Sequence, residues 1–194
     1  MEMEKIVEKS FRDSVKAKER FFTKKTMALV VVVAEAIVAS FKSGGKLMLI
    51  GNGGSAADSQ HIAAEFVNRF EIERPPLPAL ALTTDTSVLT SIGNDYSFDQ
   101  VFSKQIRALG KENDVLLAIS TSGNSANVLK GIEAAKAMKI KTIALTGNDG
   151  GKMADKADML LNVESKTTAR IQETHITICH IICELVDHML FQKV

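Results

Sequence analysis

Lys46-Leu47-Met48-Leu49-Ile50, followed at once by Gly51-Asn52-Gly53-Gly54-Ser55, is the stretch that decides the fold. Past its leading lysine the run is apolar at every position, so neither face of the strand it forms can meet water. The glycines end the run, and a helix follows to about Arg69. The same rhythm recurs downstream. Asp114 to Ile119 leads into Ser120-Thr121-Ser122-Gly123-Asn124-Ser125 and a helix to about Met138. Lys141 to Leu145 leads into Thr146-Gly147-Asn148-Asp149-Gly150-Gly151. Pro75, Pro76 and Pro78 mark a loop before a strand at Ala79 to Leu82, and a helix starts after Thr84-Asp85. Met159 to Val163 is the fifth strand. Apolar strands alternating with helices predict an α/β chain: a five-stranded parallel sheet with helices on both faces. Ligands of such sheets bind beyond the carboxyl ends of the strands, where these Gly, Ser and Thr loops fall.

Upstream, residues from about 2 to 24 are charged, with sparse apolar positions (Ile6, Val7, Phe11, Val15, Phe21, Phe22), and read as an amphipathic helix. Residues 25–42 form a second helix, apolar nearly all round, which Ser43-Gly44-Gly45 stops. Such a helix is buried, either in the core or against another subunit. A last long helix runs from about Thr168 to Phe191 and is apolar on more sides than one neighbour covers. The expectation is one domain over 1–194, with 1–43 as a helical extension that packs in a homo-oligomer.

The charge balance, 24 basic against 23 acidic side chains with no basic block, gives no electrostatic footprint for nucleic acid. The apolar run from Met27 to Ala34 is far short of the roughly 20 residues a membrane span needs. Met1-Glu2-Met3-Glu4-Lys5 lacks the apolar centre of a signal peptide. Cys179 and Cys183, four apart on one helix, do not suit disulfide geometry. A cytoplasmic protein is expected, acting on a small molecule, with no nucleic acid and no membrane among its partners.

Two loops have the chemistry of an anion site. Ser120, Thr121, Ser122 and Ser125 crowd hydroxyls at a helix start, where free N–H groups and the helix dipole favour negative charge. An ordinary cap would use one of them; the set suits the three acceptor oxygens of a phosphate. Asn52-Gly53-Gly54-Ser55 lacks the Gly-Lys-Ser/Thr ending of a nucleotide-phosphate loop and the full dinucleotide spacing. Its glycines allow close backbone approach, and it reads as the second wall of the same site. Acid–base candidates are near. His61 and Glu65 form an i,i+4 pair on the helix after Gly54, and the last helix offers Gln172, Glu173, His175 and His180. Each has a plainer reading as a surface pair or a buried histidine. Cys179, Cys183 and His175 could make a soft metal site, but small buried cysteines are the commoner explanation.

The loop pair, with Gly93-Asn94-Asp95 between its halves and Arg170-Ile171-Gln172-Glu173 near the end, resembles the sugar isomerase (SIS) family, and within it the phosphoheptose isomerases. The resemblance covers nearly the whole chain. It implies a flavodoxin-like three-layer sandwich. It also implies isomerisation of sedoheptulose 7-phosphate to D-glycero-D-manno-heptose 7-phosphate through an enediol, the first step toward nucleotide-activated heptose for surface polysaccharide. By the same resemblance His61, Glu65, Gln172 and His180 hold one zinc per subunit, and Glu65 and His180 do the acid–base work. Asn52, Gly53, Gly54, Ser55, Glu65, Asn94, Asp95, Ser120, Thr121, Ser122, Ser125 and Gln172 contact substrate. The implied assembly is a homotetramer with sites at subunit interfaces. One departure is that Lys166-Thr167-Thr168-Ala169 carries no acid before the Arg-Ile-Gln-Glu motif, so Thr167 or Thr168 is the candidate substitute. Two other readings stay open: a non-catalytic SIS protein that binds a replication initiator, and an isomerase of another phosphosugar.

Gln172 and His180 are eight residues apart, about 12 Å along a helix, while a zinc ion lies about 2 Å from each ligand. The expectation is therefore that each site draws on more than one chain, with Glu65 and His180 as the pair to test.

Overall fold

A computed structural model describes residues 2–192. Two helices, α1 (Glu2–Phe21) and α2 (Lys24–Lys42), precede β1 (Leu47–Gly51), α3 (Gly54–Val67) and β2 (Ala79–Ala81). Then come α4 (Thr86–Asp95), a 3₁₀ turn at Phe98–Gln100, α5 (Val101–Leu109), β3 (Val115–Ser120) and α6 (Ala126–Ala137). The chain ends with β4 (Lys141–Gly147), a 3₁₀ turn at Gly151–Met153, β5 (Met159–Val163) and α7 (Thr168–Phe191). All five strands are parallel, in the order β2-β1-β3-β4-β5, so the expected α/β architecture is the one observed.

The strands bury both faces, and alternate residues serve two cores. Leu47 and Leu49 point with Leu117 and Leu145 into a core closed by α2, α3 and α7. Met48 and Ile50 point with Leu116 and Ala144 into a second core closed by α5 and α6. Each fully buried Leu or Ile contributes about 1.5–3 kcal/mol, which is why strands this short stay in the sheet. Local signals set the helix starts. Thr23 and Thr26 form a reciprocal capping box on α2, and the Asp85 side chain accepts from the Val88 N–H to start α4.

Three features add detail to the sequence expectation. The helical region after Asp85 is two helices, broken at Tyr96 and Ser97, because α5 turns to bury Phe102 and Ile106 while α4 fully buries no side chain. Helix α2 lies on α7 of its own chain and buries Val30, Val33, Ala34, Ile37 and Val38 there, so it belongs to a core layer of the domain. Helix α1 lies along α7 and β5, where Arg170 donates to the Ser10 carbonyl, and leaves Met3, Val7, Phe11 and Val15 exposed at helical spacing.

Candidate active site

The sheet order creates the site. β1 and β3 are neighbours, but the chain leaves β1 toward β2 at one edge and leaves β3 toward β4 on the other side. Their following loops diverge and leave a crevice at the strands' carboxyl ends, the usual ligand position of this topology. The loop of residues 51–55 and the loop of residues 120–125 form its walls. A reciprocal amide pair ties them together: Asn52 Nδ2 donates to Asn127 Oδ1 at 2.8 Å, and Asn127 Nδ2 donates back at 2.9 Å. Asn127 is 3% exposed, so this cross-link is a fixed part of the crevice.

The second wall gathers its hydroxyls. Ser120 Oγ lies 3.0 Å from Ser125 Oγ and 3.4 Å from Ser122 Oγ. Ser125 is the residue at the N-terminal cap of α6 but makes no side-chain capping bond. The helix start therefore offers its dipole, with its first N–H groups, beside three hydroxyls. Gly123 has φ +63°, and a Cβ there would lie 2.0 Å from the Gly150 carbonyl oxygen, so only glycine lets the loop pass the β4 turn. A cavity of ≈ 380 Å³ opens alongside, lined by Thr121, Ser122, Asn124, Asn148, Lys166 and Thr168.

The titratable side chains come from α3 and α7, which run side by side in the same direction. Gly54 faces Gln172: a Cβ on Gly54 would lie 2.3 Å from Gln172 Nε2. About two turns on, His61 Nε2 lies 2.9 Å from His180 Nε2 and 3.4 Å from Glu65 Oε1. The two imidazoles meet edge to face at 5.1 Å between ring centres, and Phe70 lies 5.5 Å from the His180 ring. Two ring nitrogens this close cannot both carry a proton without repulsion, so this is a place that holds one proton or one cation between them. Glu65 and His180 are thus assembled within one chain. They meet because α3 and α7 advance in parallel and pair their side chains one to one.

The same geometry separates Gln172 from His180, as their spacing on one helix requires. Gln172 stands beside Asp58, whose carboxyl is pushed above its usual range by burial, against the opposing pull of Gln172, His61 and His180. Asp58 Oδ2 is buried with no hydrogen-bond partner. Asp58 did not stand out in the sequence, nor did Asn127; both are single polar positions on helices. The signal available for Asp58 was its three-residue step from His61, which puts both on the α7 side of α3.

Other expected residues lie apart. Asn94 and Asp95 end the exposed helix α4, where Asn94 Nδ2 donates to Asp95 Oδ1 at 2.9 Å. No hydrogen bond links them to either loop among the described residues. Arg69 makes an exposed ion pair with Glu73 at 3.6 Å. His175 is fully buried, donates Nε2–H to the Thr146 carbonyl at 2.8 Å, and is kept neutral by burial, its pKa lowered to about 4. Cys179 is pushed up to about 12 by burial, and Cys183 is raised likewise. These three are core residues and not a soft metal site. Thr168 starts α7 and lines the cavity; Thr167 caps α7 without a side-chain bond.

Zinc binding can be tested on the donors themselves. Two nitrogens and a carboxylate are a suitable set for zinc in kind. The 2.9 Å between the imidazole nitrogens is short of the about 3.3 Å that two nitrogens on one tetrahedral zinc would keep, so the rings would have to part slightly. Among the described residues no three His, Cys, Asp or Glu side chains stand at ready-made metal spacing. His61, Glu65 and His180 fit a zinc ion after that small opening; Gln172 would have to turn away from Asp58 to join them.

Comparison with known proteins identifies the family. The family described as SIS domain matches residues 10–147. The phosphoheptose isomerase of Thermodesulfovibrio yellowstonii is 52% identical over 192 residues, covering 99% of this chain and 95% of that protein. The structure of the Neisseria gonorrhoeae phosphoheptose isomerase superposes with a TM-score of 0.88 at 49% identity, covering 95% of this chain and 98% of that one. The Francisella tularensis phosphoheptose isomerase superposes with a TM-score of 0.92 at 41% identity, over 97% and 99% of the two chains. Sequence and fold together place this chain among the phosphoheptose isomerases of the SIS-domain family.

Proposed function

We propose that this chain interconverts sedoheptulose 7-phosphate and D-glycero-D-manno-heptose 7-phosphate, with Glu65 and His180 as its acid–base pair. The observation that carries the reading is the meeting of Glu65, His61 and His180 within one chain that also carries a hydroxyl-lined helix start at its topological switch point. Such a reaction needs a phosphate anchor and groups that move protons between adjacent carbons and oxygens. The hydroxyls of Ser120, Thr121, Ser122 and Ser125 and the start of α6 grip the phosphate. Asn52, Gly53, Gly54 and Ser55 line the sugar, and Gln172 orients it.

Glu65 takes the proton from C1 of the ketose as His180 gives a proton to the C2 oxygen, which leaves an enediol. The C1 hydroxyl then returns a proton to His180, and Glu65 delivers its proton to C2, which completes the aldose. His61, between the two, holds both in place. His61, Glu65, Gln172 and His180 would hold the zinc, which when bound polarises the sugar oxygens. Asn94 and Asp95 reach substrate only from another copy of the chain, in an oligomer sealed by the exposed apolar stripe of α1; a homotetramer fits this reading. A cytoplasmic enzyme feeding heptose to surface polysaccharide follows from the same substrate. The reading of a non-catalytic initiator-binding relative is set aside because His61, Glu65, Gln172 and His180 are all retained. Incubation with sedoheptulose 7-phosphate, followed by NMR, tests the proposal: the aldose signals should appear, and their absence would refute it.

A further inference from the structure

Arg74 stands in the loop between α3 and β2, beside Pro75 and Pro76, where a charged residue is ordinarily solvated. Its side chain is instead 1% exposed, and Nε donates at 2.8 Å to Oδ1 of Asp187, itself 5% exposed. The rest of the guanidinium serves the end of α3. Nη2 donates to the Glu65 carbonyl at 2.8 Å, and Nη1 to the carbonyls of Phe66 at 2.7 Å, Asn68 at 3.2 Å and Pro75 at 3.3 Å. The last carbonyls of a helix have no intrahelical partner, and here one planar cation takes them.

A buried ion pair is a poor device for stability alone, since desolvating both charges offsets most of their attraction. What this one does is join two helices at a defined separation. Its α3 end includes the backbone oxygen of Glu65. Its α7 end is Asp187, seven residues and about 10.5 Å beyond His180, two turns along the same face. The His61–His180 and His61–Glu65 contacts join side chains at this level, whereas this guanidinium ties the backbone of the Glu65 turn to that face. We infer that Arg74 is a positioning residue for the isomerisation, its guanidinium fixing the Glu65 turn of α3 against the His180 face of α7. This rests on the reading of Glu65 and His180 as the acid–base pair.

The test uses the full chain as the double variant Arg74→Met/Asp187→Leu, which keeps the volume and removes both charges, alongside Arg74→Lys and Glu65→Gln. A displacement of about 1 Å in a reacting group costs up to about 100-fold in rate. The expected result for the double variant is a kcat lowered about 10- to 100-fold on sedoheptulose 7-phosphate. KM and inhibition by inorganic phosphate should stay near wild type, because the 120–125 loop is untouched, while the melting temperature should fall, because the carbonyls at the end of α3 lose their donor. Arg74→Lys, which keeps the charge and loses the fork, should show the same split and decides alone if the double variant does not fold. A wild-type kcat in a folded variant, or a parallel loss of kcat and phosphate affinity, would overturn the inference. Full activity in Glu65→Gln would instead overturn the acid–base reading beneath it.

Discussion

Gly54→Ala should separate activity from stability. The backbone of Gly54 is helical, so alanine is tolerated there; the added Cβ would lie 2.3 Å from Gln172 Nε2, 2.5 Å from Oε1 and 2.7 Å from Cδ. Contact at van der Waals distance needs about 3.4 Å or more, so the carboxamide must retreat by about 1 Å. That retreat moves it from its place beside Asp58. Weakening that polar contact costs at most about 1 kcal/mol, and replacing glycine by alanine at a compatible position returns about 0.4–1 kcal/mol through the unfolded state. The melting temperature should therefore barely change. Activity should fall by up to about 100-fold, since Gln172 no longer stands where it orients substrate. Gly123→Ala is the contrasting control. Its φ of +63° and its 2.0 Å approach to the Gly150 oxygen make it a backbone clash, and it should lower stability as well as activity. The assay is thermal denaturation followed by circular dichroism, with steady-state kinetics on the same samples. A Gly54→Ala enzyme with wild-type kcat/KM would refute the placement of Gln172 in the site.

Ser120→Ala combined with Ser122→Ala should raise KM for the phosphorylated sugar and weaken inhibition by inorganic phosphate, with kcat less affected; unchanged values of both constants would remove the phosphate from this loop. Stability should fall as pH drops from 6.5 toward 4, because His175 is neutral when folded, its pKa lowered to about 4, while the unfolded chain takes up its proton near 6.5. The loss is on the order of 3 kcal/mol at about 1.4 kcal/mol per pH unit. Asp58, raised by burial, works in the opposite sense at the acid end. Urea denaturation of wild type and His175→Gln across that window checks it, the variant showing the shallower slope; equal slopes would contradict the assignment. Sedimentation at equilibrium should show an oligomer that Phe11→Glu on α1 weakens, and a wild-type monomer with full activity would refute assembly through that stripe.

The sheet and its two loops were legible because buried parallel strands are apolar throughout and glycine breaks each run sharply. The break between α4 and α5 was less legible: Asn94, Asp95 and Ser97 are turn formers, but α4 buries too little to show a period that would set them off. Within the site, the hydroxyl cluster could be read from one hexapeptide, because its chemistry is local. His61 and His180 are 119 positions apart, and no pattern within either helix shows that they meet at 2.9 Å; the family resemblance supplied them as a set. Asn127 acts through Asn52, 75 residues away, and Arg74 reads as surface charge between glutamate and proline. Their partners come from tertiary register, which sequence spacing does not carry. The same register brings Glu65 and His180 together within one chain: the spacing along α7 could be read, but the parallel course of α3 beside it was not visible.

The central claim is that Glu65 and His180 move a proton between C1 and C2 of a phosphorylated ketose. The most direct measurement is NMR of sedoheptulose 7-phosphate in D₂O with wild type, Glu65→Gln and His180→Gln. The wild type should produce aldose, with deuterium at C2 in the fraction of turnovers in which the proton on Glu65 exchanges with solvent, and each variant should slow conversion on the order of 100- to 10,000-fold while keeping its fold. Wild-type conversion by either variant, or no conversion by the wild type, would contradict the account.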